Sequence, residues 1–295
     1  MSQRLSARAF AKINLGLEVL SSRPDGYHEI RTILQTIDLH DELSYSEGDG
    51  IEISCDDREL PTGSANLVHK AAAFLADAAG IPPDVSIHIR KRIPAGAGLG
   101  GGSADAAVTL LALDRLWKLS TPIDDLHRVA CRIGMDVPFF LRGGTALAVG
   151  RGDEVYPLAF EPDFYIVLIL PDFSISTAAA YRSLRLTNKG SSLKLAHFAW
   201  GDPTFLEGLG ELVNDLEGAA GEHSASIHEC KQILCQKGAS VSMMSGSGSS
   251  IFGVFHDEAR AREAARSLGH EGVRVVLTRT LRGQIYREKL LAVPD

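Results

Sequence analysis

Cysteine is scarce in this chain. Only Cys55, Cys131, Cys230 and Cys235 occur in 295 residues, with no CxxC pair and no regular spacing. A disulfide framework is therefore excluded, and the thiols are expected reduced and mostly buried, as in a reducing compartment. Long hydrophobic runs are missing too. The longest aliphatic-aromatic stretch, Phe164 to Leu170, is far too short to cross a bilayer. The opening MSQRLSARAFAKINL has no apolar run ending in a small-residue cleavage site. A cytoplasmic protein with no membrane partner is expected. Excess positive charge is absent as well, since the net charge is −7. That balance argues against a nucleic-acid partner, although an anionic small molecule needs only local positive potential. None of the 10 histidines falls in an HExxH or comparable pattern, so no metal-ligating residue is singled out.

What is present describes an ordinary globular chain. With 45% hydrophobic and 23% charged residues, it can bury a substantial core without staples. Neither repeats nor low-complexity tracts occur. Ile13, Leu15, Leu17 and Val19 alternate with Lys12, Asn14, Gly16 and Glu18, the period of a half-buried strand with one polar face. Pro24-Asp25-Gly26 signals a turn ahead of Tyr27 and His28. Asn66 to Ala79 reads as a helix stopped by Gly80. A strand through Val85, Ile87, Ile89 and Ile93 leads into PAGAGLGGGS (94–103), and a helix is expected from about Ala104 to Leu119. Thr121-Pro122 predicts a capped second helix, with the proline in its first turn, ending at Gly134. From Phe164 the strands and helices surround a second core. The pattern predicts an α+β fold of two lobes, 1–158 and 159–295, with a ligand cleft between them.

The glycine-rich loop carries the chemistry. Gly96, Gly98 and Gly101 satisfy G-x-G-x-x-G, but a second helix follows where a dinucleotide-binding unit needs a strand ending in an acid. A Walker loop fails for want of Lys-Ser or Lys-Thr. What remains is a strand, a loop with five glycines and a helix. Its converging N–H groups and helix N-terminus suit an anion. A flexible surface loop with a capped helix is the bland alternative. Arg90, Lys91 and Arg92 are expected to raise the local potential. Asp105 has the wrong sign for a phosphate neighbour and is expected to point away, complementing the helix dipole.

At this loop the chain resembles the GHMP kinases. PAGAGLGGGSADAA (94–107) is similar to their phosphate-binding motif, in the P-x-x-x-G-L-G-G-G-S form of the diphosphocytidyl-methylerythritol kinases. AKINLGLEVLSSRPDGYHEI (11–30), GMDVPFF (134–140) and SGSGSSIFGVF (245–255) agree, in order and across most of the chain. Ala97 and Ala104 stand where those kinases often have Gly and Ser, and Asp114 where Asn is common. The resemblance implies ATP as phosphoryl donor with Mg²⁺, and a cytidylylated sugar alcohol phosphorylated at its C2 hydroxyl in non-mevalonate isoprenoid synthesis. Rivals are a kinase for another alcohol, of homoserine or mevalonate type, a dinucleotide-dependent oxidoreductase and a silent nucleotide-binding module. A monomer or weak homodimer is expected.

Residue roles follow from the same resemblance. Pro94, Ala95, Gly96, Ala97, Gly98, Leu99, Gly100, Gly101, Gly102, Ser103 and Ala104, with Asn66, would bind ATP. Ser103, an N-cap on local chemistry, would also approach the phosphates or Mg²⁺. Asp136 would be the catalytic base, and Lys12 would reach it. Alone, Asp136 reads as a helix cap and Lys12 and Asn14 as a solvated face. Asn14, Gly246 and Gly248 would lie on the substrate side, although the two glycines read most simply as a tight turn. Tyr27, His28, Thr177 and Tyr181 would form a cytosine pocket, although the three rings could equally be core or interface side chains.

Overall fold

The computed structural model describes residues 4–184, 211–270 and 274–292. Two long antiparallel strands, β1 (Leu5–Ser22) and β2 (His28–Ser46), organise it. Their connection is the expected Pro-Asp-Gly turn. Gly26 takes a positive φ of 83°, and the Tyr27 N–H donates to Asp25 Oδ1 at 3.1 Å. The first half of β2 pairs with β5 (Thr145–Gly150) and its second half with β4 (Val85–Arg90). β3 (Ile51–Cys55) runs parallel to β4, and β6 (Glu154–Pro157) lies beside β5. α1 (Leu67–Ala79), α2 (Gly101–Leu116), α3 (Ile123–Ile133) and α4 (Val137–Phe140) pack with this sheet.

A second sheet, antiparallel throughout, has the order β10 (Val275–Arg279), β7 (Tyr165–Ile169), β9 (Ile251–Phe255) and β8 (Val241–Met244). With it go α5 (Thr177–Ser183), α6 (Ser224–Gln236) and α7 (Glu258–His270). The chain then returns to the first sheet. α8 (Gly283–Leu290) leads into β11 (Leu291–Ala292), which pairs with β1.

The two sheets are not separately wrapped. Ile13, Leu15 and Ile33 share one apolar cluster with Phe164, Ile166 and Phe252, and Leu17 and Val19 pack with Val167 and Leu216. Each such side chain contributes about 1.5–3 kcal/mol on full burial. β1 is consequently buried on both faces, and the expected polar face is not solvated: Lys12, Asn14 and Glu18 are all buried. Alternation was correct as a period but silent on what covers the polar side.

Other local expectations shift similarly. α1 has Asn66 as its cap and Gly80 in the left-handed region at its end. α2 begins at Gly101, with Gly100 in the N-cap position, so Ser103 lies in the first turn and is not the cap. Pro122 occupies the N-cap of α3 rather than its first turn, and Thr121 makes no capping bond there. Asp114 gains a structural explanation. Its Oδ1 accepts the Thr121 N–H at 2.8 Å, bracing a connection in which Lys118 and Ser120 both have positive φ. The cysteines are free, with three half-buried and Cys235 exposed, so they are less buried than expected.

Candidate active site

A cleft of about 800 Å³ opens between the β1–β2 hairpin, the glycine-rich loop, the loop after β8 and α5. Lys12, Asn14, Asp136 and Ser103 line it, together with Gly96, Gly98, Gly100 and Gly246. Tyr27, His28, Thr177 and Tyr181 line its other part. Residues far apart in sequence thus meet in one cavity.

Lys12 is held from three sides. Its Nζ donates to Asn14 Oδ1 at 2.6 Å and lies 3.7 Å from Asp136 Oδ2. Its backbone N–H donates to the Leu99 carbonyl at 3.0 Å, which ties the glycine loop to β1 beside the lysine. Asp136 occupies the N-cap position of α4, yet its carboxylate makes no capping hydrogen bond. The capping interpretation therefore fails on geometry, and the group faces the cleft with the lysine as its ion-pair partner.

The glycine loop needs its glycines for two distinct reasons. Gly98 has φ of 74°, and a Cβ there would lie 2.1 Å from the Ser245 carbonyl oxygen, so the two glycine loops touch backbone to backbone. Ser245 Oγ donates to the Gly98 carbonyl, and the Ser250 N–H to that of Ala97. Gly96 also has positive φ, at 66°, but a Cβ would meet nothing within 4 Å. Its Cβ position is open space, and the residue itself lines the cleft. Ala97, Leu99 and Ala104 bury their side chains in the apolar clusters, and Gly101 is buried against Ile93. Pro94, Ala95 and Gly102 are at least partly exposed but do not line the cavity. Asn66 uses both ends of its amide locally, accepting from the Val68 N–H and donating to the Pro61 carbonyl. Gly248 donates its N–H to the Ser245 carbonyl, closing the second loop without lining the cavity.

The basic run before the loop does not add free positive charge. Arg90 and Arg92 both reach Glu42, at 3.2 and 2.9 Å. Lys91 Nζ lies 2.5 Å from Asp41 Oδ2 and 2.9 Å from Asp105 Oδ2. Asp41 Oδ1 in turn accepts the N–H groups of Arg92 and Ile93. Asp105, just beyond the first turn of α2, is therefore buried in a triad that fastens the entry of the loop to that helix, and its carboxylate is engaged by Lys91 rather than by the helix dipole. Burial raises its carboxyl to about 8 against the pull of Lys91, with Asp41 adding to the rise.

At the far end, the His28 and Tyr181 rings lie 5.0 Å apart and tilted by 32°. Burial, then the charge of Asp136, raises the Tyr181 phenol to about 12, so it remains a hydrogen-bond donor. Tyr27 is 47% exposed on the rim, with the Arg151 guanidinium 5.3 Å above its ring. Thr177 Oγ1 and Ser247 Oγ, both lining the cleft, are hydrogen-bonded at 2.7 Å.

Several lining residues escaped the sequence reading. Thr32 lies on a strand with no motif of its own, and Arg182 follows Tyr181 on α5. The Gly150-Arg151-Gly152 turn was a usable signal, because both glycines have positive φ and the arginine is carried between them. Asn214 gave no signal at all. Buried, it donates through Nδ2 to the carbonyls of Met244 and Gly246, fixing the second glycine loop.

Residues 66–144 match the GHMP kinases N terminal domain, and residues 204–274 the GHMP kinases C terminal domain. A 4-diphosphocytidyl-2-C-methyl-D-erythritol kinase of Chlorobium phaeobacteroides (strain BS1) is 42% identical over 267 residues, covering 90% of this chain and 93% of its own. A counterpart in Thermodesulfovibrio yellowstonii is 41% identical over 284 residues, covering 93% and 98%. The crystal structure of a 4-(cytidine 5'-diphospho)-2C-methyl-D-erythritol kinase superposes with a TM-score of 0.79 at 36% identity, over 93% of this chain and 98% of that one. By sequence and by fold, the chain belongs to the 4-diphosphocytidyl-2-C-methyl-D-erythritol kinase family of the GHMP kinases.

Proposed function

We propose that the protein transfers the γ-phosphoryl group of ATP to the C2 hydroxyl of 4-diphosphocytidyl-2-C-methyl-D-erythritol. The products are the 2-phosphate and ADP, and the step belongs to non-mevalonate isoprenoid precursor synthesis. One observation carries the reading: an uncapped Asp136 carboxylate, ion-paired to buried Lys12, faces a glycine loop in a cleft whose other end is aromatic.

Phosphoryl transfer asks a protein for positioning and electrostatics more than for covalent chemistry. The N–H groups of the glycine loop and of the α2 N-terminus supply donors for nucleotide phosphates. Asp136 takes the proton of the attacking hydroxyl as general base. Lys12 orients that carboxylate and offsets negative charge on the reacting oxygen. Tyr27 and Tyr181 take the faces of the cytosine ring, with His28 at its polar edge and Thr177 beside them.

Magnesium fits this donor set. Among the described residues no cluster of three His, Cys, Asp or Glu side chains could hold a metal, and Asp136 is the one carboxylate lining the cleft. A Mg²⁺ ion held chiefly by nucleotide phosphates and water needs no more from the protein, and when bound it neutralises phosphate charge.

The test is ADP release with a panel of alcohols: the cytidylylated methylerythritol, homoserine and mevalonate. Turnover confined to the first supports the reading. Turnover on either of the others, with none on the first, overturns the substrate assignment.

A further inference from the structure

Lys12, Asn14 and Thr32 are 4%, 3% and 2% exposed, on the paired strands β1 and β2. Their polar atoms form one chain. Lys12 Nζ donates to Asn14 Oδ1 at 2.6 Å, Asn14 Nδ2 donates to Thr32 Oγ1 at 2.8 Å, and Thr32 Oγ1 donates to the Gly16 carbonyl at 2.7 Å. The chain forms where the ladder slips: Asn14 faces Leu34 while Gly16 faces Ile33, so β1 carries one extra residue there. Such irregularities redirect side chains.

The direction of this chain follows from counting protons. A carbonyl oxygen only accepts, so the single hydroxyl proton of Thr32 is committed to Gly16. Toward Asn14 the hydroxyl can then only accept. That turns the amide NH₂ toward Thr32 and the amide oxygen toward Lys12. An ammonium only donates, so the oxygen is the one end of the amide that Lys12 can use. Valine would fill the place of Thr32 with the same shape and an equal or better strand propensity, so shape alone gives no reason for a hydroxyl there.

We propose that Thr32 is a positioning residue for phosphoryl transfer, fixing the Lys12 ammonium beside Asp136 through the orientation of the Asn14 amide. The proposal rests on reading the cleft as a phosphoryl-transfer site. With the hydroxyl gone, the Asn14 amide is free to turn over. Its NH₂ then faces the ammonium, and Lys12 loses the acceptor that anchors it.

A double-mutant cycle tests this: wild type, Thr32→Val, Asn14→Ala and the double variant, with kcat normalised to ATP-binding-competent protein. Thr32→Val should lower kcat by about 10-fold or more, in keeping with the cost of a misplaced group, while KM for ATP and for the alcohol stays nearly constant. In the Asn14→Ala background the same change should cost less than about 2-fold, because its route is already cut. Thr32→Ser should restore most of the lost kcat. Should Thr32→Val fail to fold, Thr32→Ala removes the same hydroxyl without adding volume and replaces it in the cycle. An undiminished kcat in Thr32→Val overturns the proposal, and so does an equal fold loss in both backgrounds. Absence of turnover in the wild type on every alcohol tried is a different result; it overturns the reading of the cleft, and the proposal with it.

Discussion

Asp136 Oδ2 lies 3.7 Å from Lys12 Nζ, and the two partners differ sharply in exposure, 39% for the aspartate side chain against 5% for the lysine. The buried lysine is anchored by Asn14 and by the strand that carries it. The aspartate reaches into open cleft from the N-terminus of α4, free of capping bonds. This asymmetry suits a base that must meet a diffusing hydroxyl while its counter-charge stays fixed.

Asp136→Asn should therefore abolish turnover without loosening ATP. Removal of a general base costs about 10²–10⁴-fold in rate, or roughly 3–6 kcal/mol of barrier. Stopped-assay ADP release and a nucleotide-binding titration measure the two quantities separately. A variant retaining more than about a tenth of kcat, a loss below about 1.4 kcal/mol, would show that Asp136 is not the base.

The glycines of the loop separate phosphate binding from folding. Gly96→Ala adds a methyl group in open space at a residue that lines the cleft, at a backbone strain of about 1–2 kcal/mol for a left-handed residue. The variant should fold and bind ATP more weakly. Gly98→Ala drives its Cβ into the Ser245 carbonyl, so it should separate the two loops and lower the melting temperature. Gly100→Val is less informative, because its Cβ position already lies 2.8 Å from the buried Phe140 ring and 3.1 Å from the Lys12 stem. An unchanged ATP affinity in folded Gly96→Ala would show that this part of the loop does not approach the phosphates.

Much of the site was legible because short motifs carry backbone requirements. The Pro-Asp-Gly turn, the glycine loop and the second glycine loop each impose conformations that sequence reveals directly. Burial of the polar face of β1 was not legible. A strand's alternation gives two faces but not the second sheet that covers one of them. The charge of the Arg90-Lys91-Arg92 run misled for a related reason: its partners, Glu42, Asp41 and Asp105, come from other elements. Asn214 and Thr32 remained hidden because a hydrogen-bonding role depends on what lies opposite, and neither belongs to a local pattern.

The Asp41–Lys91–Asp105 triad predicts a pH signature in stability. Burial keeps a proton on Asp105 to about 8, whereas the unfolded chain releases it in the ordinary carboxylate range. Its contribution to stability is thus whole at acid pH and is lost as pH rises through the folded value. Asp105→Asn does not titrate and retains an oxygen for Lys91. The unfolding free energy of the variant relative to wild type should rise between about pH 5 and about pH 8. Urea melts across that range measure the difference, in which the groups outside the triad cancel. A flat difference would mean that Asp105 stays ionised beside Lys91.

Tyr27 decides whether the aromatic end of the cleft recognises a nucleobase. It stands on the rim after the Pro-Asp-Gly turn, half exposed, with Arg151 over one face. His28 and Tyr181 already contact each other, and both line the same cavity as Tyr27. Stacking on an aromatic contributes about 1–3 kcal/mol per base, yet every base has a π-face, so stacking alone does not select cytosine. Selection must come from hydrogen bonds, because uracil exchanges donors for acceptors and leaves buried partners unpaired. Tyr27→Ala should accordingly raise KM for the cytidylylated alcohol by roughly 5–150-fold, the equivalent of about 1–3 kcal/mol. KM for ATP should barely move, and preference for cytosine over uracil should largely survive, since the polar edge is read elsewhere. Steady-state kinetics with both substrates varied, repeated with the uridylylated analogue, measure all three quantities. If Tyr27→Ala weakens ATP and spares the alcohol, the two ends of the cleft are assigned in reverse. If neither constant moves, Tyr27 is a rim side chain without a ligand, and the cytidine assignment loses the residue that most directly supports it.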